Sequence, residues 1–187
     1  MPRQVFLFDR PSRFVAGTVG APGGRTFFLQ ATDGARIVSV SLEKQQVAVL
    51  ADRLEQLLDE VVARTGTALP ATDSDSAALE QPIDEEFRVS AMGLAWDGDA
   101  GLVVIEALAP TDDAETAEQT LLEDVEEGPD ALRVRIEPTR ARAFVERARR
   151  VIAAGRPPCP LCGIPLDPAG HVCPRQNGYH RGTILEP

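Results

Sequence analysis

The 187-residue chain is 43% hydrophobic and 26% charged, with a formal net charge of −10. That length suits one sizeable core with a small appendage, and the negative balance argues against general coating of nucleic acid, whose phosphates are neutralised by Lys and Arg. No run of about eighteen apolar residues is present, and the opening Met1-Pro-Arg-Gln-Val-Phe-Leu-Phe-Asp lacks the features of a secretory signal, so a cytoplasmic protein without a membrane role is expected.

The first forty residues read as β structure. Val5–Phe8 is an apolar run closed by Asp9-Arg10-Pro11-Ser12, and Phe14–Val19 is another closed by Gly20-Ala-Pro-Gly-Gly24. Segments 26–31 and 35–40 flank Asp33-Gly34, a dipeptide suited to a primed hairpin turn because both central positions need positive φ. From about Leu42 the apolar period lengthens: Val47, Leu50, Leu54, Leu57, Leu58 and Val61 share one helical face up to Thr65-Gly66. The small and polar residues that follow read as a linker, 67–82.

Strand patterns resume at Phe87–Trp96 and Leu102–Leu108, joined across Asp97-Gly98-Asp99-Ala-Gly101. Segment 111–130 carries nine carboxylates and no basic residue, and reads as a solvated loop. Leu132-Arg-Val-Arg-Ile136 alternates as a half-buried strand. Glu137-Pro138 then opens a second amphipathic helix with the stripe Ala141, Phe144, Val145, Ala148, Val151 and Ile152, stopped by Gly155 and Pro157-Pro158. Aligned on Val40 and Val134, the two strand-to-helix junctions match Leu50 with Phe144 and Leu54 with Ala148, which raises a strands-then-helix duplication beside the plainer reading that such junctions look alike. The expected class is α+β: antiparallel sheet with two amphipathic helices. The expected division is a core over 1–155, with halves 1–66 and 83–155, and a zinc-knuckle tail over 156–187.

The tail holds all three cysteines and both histidines. Cys159-Pro-Leu-Cys162 places two thiolates on one tight turn, and Cys173 supplies a third. Soft sulfur ligands plus imidazole are the donor set of a tetrahedral structural Zn²⁺ site. An odd cysteine count in a cytosolic protein further favours a metal over disulfides. The fourth ligand is His171 or His180: His171, two residues from Cys173, is preferred, and His180 could fold back across Gln176-Asn177-Gly178. A tail with this little apolar content needs such a clip to offset its ordering entropy. A catalytic zinc is disfavoured, because no HExxH motif and no nearby glutamate base are present.

The second candidate is a basic face. Arg140, Arg142, Arg147, Arg149 and Arg150 lie on the second helix, preceded by Arg133 and Arg135 and followed by Arg156, Arg175 and Arg181. Arg140, Arg147, Arg149, Arg150 and Arg175 are the candidate contacts for RNA or another anion. Internal pairing, including Glu146 with Arg142 and Arg150, is the favoured alternative given the negative total. Gly20–Gly24 lacks the spacing of a phosphate loop, and Asp97-Gly98-Asp99 lacks the later ligands of a calcium loop, so both read as turns. Asp84, Glu85 and Glu86 read as a solvated strand entry. No histidine outside the tail is available for acid–base work.

Gly155-Arg-Pro-Pro-Cys-Pro-Leu-Cys-Gly163, Leu166-Asp-Pro, Gly170-His-Val-Cys-Pro-Arg175 and Asn177-Gly178 are similar to the C-terminal signature of an actinobacterial family of proteins with no assigned function. The likeness extends to the Phe-Asp-Arg-Pro opening and the second strand–helix junction. It implies a genomic neighbourhood with histidine-phosphatase-like and phosphoinositide-kinase-like proteins, and its GHxCP element also favours His171. The reading is a non-enzymatic zinc-binding protein that serves an unidentified protein partner, with RNA binding as the alternative. A hydrolase is the third reading, and it requires a deep pocket lined by carboxylates from the sheet.

Overall fold

The computed structural model describes residues 3–70, 75–112, 114–155, 159–164, 166, 171 and 173–175. Among these residues eight strands and three helices follow in chain order: β1 (Val5–Asp9), β2 (Arg13–Val19), β3 (Thr26–Asp33), β4 (Arg36–Leu42), α1 (Lys44–Thr65), β5 (Glu85–Arg88), β6 (Ala91–Asp97), β7 (Leu102–Leu108), α2 (Ala114–Thr120), β8 (Ala131–Ile136) and α3 (Pro138–Ala153). The fold is α+β, built on two four-stranded sheets of order β1-β8-β7-β6 and β2-β3-β4-β5.

Local sequence sets the element ends. Gly34 and Ala35 turn β3 into β4: Asp33 is paired with Arg36 and only Gly34 has positive φ, at +58, so the turn lies one residue later than Asp33-Gly34 predicts. Glu43 starts α1, its N–H donating to Gln46 Oε1 at 2.8 Å, and Gly66, left-handed at φ +67, ends it by donating to Val62 O. Glu137 caps α3 ahead of Pro138.

Three strands of each sheet run antiparallel, and each sheet is completed by a parallel edge strand from far away in the chain. β1 pairs with β8, Val5 opposite Ala131, and β5 pairs with β4, Ser39 opposite Glu85. The two sheets are thus laid out alike: β5-β4-β3-β2 with α1 after β4 corresponds to β1-β8-β7-β6 with α3 after β8. Phe87–Trp96, expected as one strand, is two. The chain breaks at Val89-Ser90, where the Val89 N–H donates to Ser41 O and the Ser90 N–H to Leu108 O, so it leaves one sheet and enters the other.

A single cluster of contacting apolar side chains unites both inner sheet faces with α1 and α3. Leu29 and Val40 come from one sheet and Ile105 and Val134 from the other, with Leu54, Leu58, Phe144 and Ala148 from the helices. Phe14 stacks on Phe144 at 4.9 Å between ring centroids. Full burial of a side chain such as Leu54 contributes roughly 1.5–3 kcal/mol.

The outer faces are covered by straps. Over the first sheet, Leu79 packs on Val15 and Phe28, and a Cβ at Gly17 would meet Leu79 at 2.5 Å. Over the second, Leu121 packs beside Leu108 and Ala131, and a Cβ at Gly93 would meet it at 2.7 Å. A fully buried polar side chain of each central strand grips the strap. Gln30, opposite Ser39, accepts from the Glu80 N–H at 2.7 Å and donates to Glu80 O at 2.9 Å. Glu106, opposite Arg133, accepts from the Leu122 N–H, from Arg3 at 2.5 Å and from the Arg133 guanidinium. The acidic segment is therefore not simply a solvated loop. It contains α2, with Ala117 and Thr120 buried, and it forms the second strap.

Candidate metal centre

The chain beyond α3 contains a short built turn. The Gly163 N–H donates to Cys159 O and the Cys159 N–H to Ile164 O, both at 2.8 Å. Gly163 sits at φ +75, where a side chain would be strained. The backbone N–H groups of Cys162 and Leu161 also point at Cys159 Sγ. Those donors, Cys162 first, hold the Cys159 thiol well below its ordinary range, at about 6. Desolvation pushes the Cys162 thiol up, against a backbone N–H from Ile164. The turn thus favours a thiolate before any ion is present.

The remaining two donors arrive from the following segment. Arg175 reaches back to donate to Leu161 O at 3.0 Å, which ties that segment to the turn. Cys159 and Cys173 are buried and their sulfurs lie 3.8 Å apart. His171 Nε2 lies 3.1 Å from Cys162 Sγ. The ligand atoms of Cys159, Cys162, His171 and Cys173 all fall within 4.8 Å of one another, so the cluster could hold a metal ion. None of the three cysteines is in a disulfide.

The dimensions can be compared with a tetrahedral ion. Metal–sulfur bonds of about 2.3 Å place two thiolates roughly 3.8 Å apart, and a sulfur and an imidazole nitrogen roughly 3.5 Å apart. The Cys159–Cys173 pair is already at that separation, and the Cys162–His171 pair would open by a few tenths of an ångström. His180 lies outside the described residues, as do Arg156 and Arg181.

Among the described residues, the arginines of the expected basic face have partners within the molecule. Arg149 pairs with Glu55 and Asp52, and Arg142 with Asp59 and Glu55, all on α1. Arg140 donates to Pro11 O and Ser12 O. Arg147 is buried and donates to Ala16 O, Asp75 and Ala77 O, while Arg150 donates to Asp75 O. Their carboxylate partners lie on α1 and the linker, and Glu146 makes none of these pairs. Arg135 is bound to Asp97, whose carboxyl is held low first by the Ala100 N–H and then by Arg135, as expected of a turn. Asp84, Glu85 and Glu86 are exposed at the entry to β5.

Sequence reasoning missed Gln30 and Glu106. The available signal was one charged side chain inside the apolar run Leu102–Leu108, with an arginine across the sheet. Glu106 is also the sheet carboxylate a hydrolase reading would look for, and its oxygens are taken by Arg3, Arg133 and the Leu122 N–H.

Residues 6–173 match a family described as protein of unknown function, DUF3090. The chain belongs to this family. The matched span includes Cys159, Cys162, His171 and Cys173, and ends before His180. No curated protein and no solved structure matches the chain. Among the described residues no helix is long and apolar enough to cross a membrane.

Proposed function

We propose that this DUF3090 member is a non-catalytic cytoplasmic zinc protein, in which one Zn²⁺ held by Cys159, Cys162, Cys173 and His171 folds the tail into a surface for a protein partner. The observation that carries the reading is the convergence of three sulfurs and one imidazole nitrogen within 4.8 Å on a turn whose N–H groups favour thiolate. Thiolate with imidazole in a tetrahedral set favours zinc over hard, oxygen-seeking cations. Four protein ligands fill the coordination sphere, which leaves no position for a water to be activated and argues for architecture over catalysis. His171 is preferred to His180 because it lies in the cluster. RNA binding has less support, since the donors of Arg140, Arg147, Arg149 and Arg150 are used inside the fold.

Cobalt substitution tests the ligand set. The Co²⁺ protein should show thiolate charge-transfer bands and the visible bands of a tetrahedral site, both altered in His171→Ala and unchanged in His180→Ala. The opposite pattern would assign the fourth position to His180, and an octahedral spectrum would remove the site. For the partner, affinity purification of the intact chain and of a version ending at Gly155 should differ by a specific protein retained only by the former.

A further inference from the structure

The layout places an edge strand beside a helix twice: β2 beside α3, and β6 beside α1. The correspondence holds residue by residue. Counting from the caps Glu43 and Glu137, Leu50 takes the place of Phe144 and Arg53 that of Arg147. Counting from the registers of Gln30 and Glu106, Met92 takes the place of Phe14.

At β2 and α3 the chain supplies its own occupant. Arg147 holds the Asp75 carboxylate and the carbonyls of Asp75 and Ala77, each at 2.8 Å, and Arg13 adds two bonds to the same carboxylate. The space left there is about 250 Å³. At β6 and α1 the equivalent groove is open, at about 730 Å³, with Val49, Leu50, Leu57, Met92 and Leu94 among its walls. Among the described residues β6 has a strand on one side only, so its outer edge offers backbone groups to a further strand.

The charge of the groove is nearly balanced from within. Glu43 at one end is paired with Arg88, and Glu60 at the other with Arg64. Arg53 is bonded to the neutral Gln56 Oε1 at 3.2 Å and, among the described residues, meets no carboxylate. One guanidinium remains to be complemented, at the position where its counterpart Arg147 binds a carboxylate and two carbonyls.

We propose that the α1–β6 groove docks an extended peptide segment of a partner protein. One carboxylate of that segment binds Arg53, and its apolar side chains cover Val49, Leu50 and Met92. The carboxylate contact repeats in trans the one that Asp75 makes to Arg147 in the sister groove. It does not depend on the metal.

The probe is a fluorescein-labelled peptide copying residues 75–83, titrated into the full-length protein and read by anisotropy. Saturable binding is expected, weakened at least fivefold by Arg53→Ala and abolished by Val49→Glu; both residues are exposed, and circular dichroism checks their folding. Asn in place of the peptide's aspartate should mimic Arg53→Ala, and Arg there should restore binding to Arg53→Glu. Binding no tighter than that of a scrambled peptide, or binding indifferent to both protein variants, would overturn the proposal. So would a concentration-dependent dimer lost in Val49→Glu, which would make the groove a self-interface.

Discussion

The core of this protein and the described part of its tail are held by different contacts. In the core, two sheets and two helices bury one continuous apolar cluster, while on the outer faces the buried Gln30 and Glu106 are bonded to their straps; Thr32 Oγ1 alone, among the described residues, is buried without a partner. In the tail, Leu161 and Ile164 are exposed, and the described contacts that close it are a few backbone bonds, the Arg175 bond to Leu161 O and the Cys/His cluster. A segment that buries so little apolar surface cannot offset the entropy of fixing its backbone, about 1–2 kcal/mol per residue, unless a stronger bond such as metal ligation contributes. The core should therefore be indifferent to a chelator and sensitive to packing and polar satisfaction, and the tail the reverse.

The largest expected effect is at Glu106. Glu106→Ala strands Arg3 and Arg133 beneath the second strap and should lower stability by about 3–5 kcal/mol, the cost of breaking a buried ion pair from one side. Urea unfolding measures it, and a loss below about 1 kcal/mol would mean that the strap is not held by this residue. Gln30→Leu under the first strap should cost less, about 1–3 kcal/mol, because the groups left without partners are neutral. Neither change should alter metal content.

A smaller effect depends on pH. The Asp75 carboxyl lies below its ordinary range, chiefly through the Arg13 side chain, with further help from the Ala77 N–H and Arg147. Because the folded value is depressed, its contribution is present above the unfolded carboxylate value of about 3.9 and is lost as pH falls through the lower folded value. The carboxylate is partly exposed, so the contribution should be about 1 kcal/mol or less. Asp75→Asn should flatten that part of the acid-stability curve, and an unchanged curve would show that the linker contributes nothing by this route.

The sequence made the two ends of this account unequally legible. Cys159, Cys162 and Cys173 could be read from spacing, with His171 ahead of His180 as their partner, because such a turn is local and its ligand types are few. Both long helices could be read from their apolar stripes, and the β3–β4 turn to within one residue from Asp33-Gly34. The exchange of β1 and β5 between sheets could not be read, since those pairings join residues far apart in the chain and leave no periodic trace. The break at Val89-Ser90 carries no glycine or proline. The acidic run suggested solvent by its charge, and hid Ala117, Thr120 and Leu121, the few residues that fasten it. The basic stripe of α3 looked available because its partners, Asp52, Glu55, Asp59 and Asp75, come from other elements.

The most direct test of the difference between core and tail is metal analysis of the untagged, full-length protein joined to limited proteolysis. One zinc per chain is predicted. Removing it with a chelator should open cleavage between Gly155 and Arg175 while the thermal unfolding of the core stays where it was, and Cys159→Ser with Cys173→Ser should reproduce that state. A tail that stays protease-resistant in a protein with reduced cysteines and no bound metal would contradict the account.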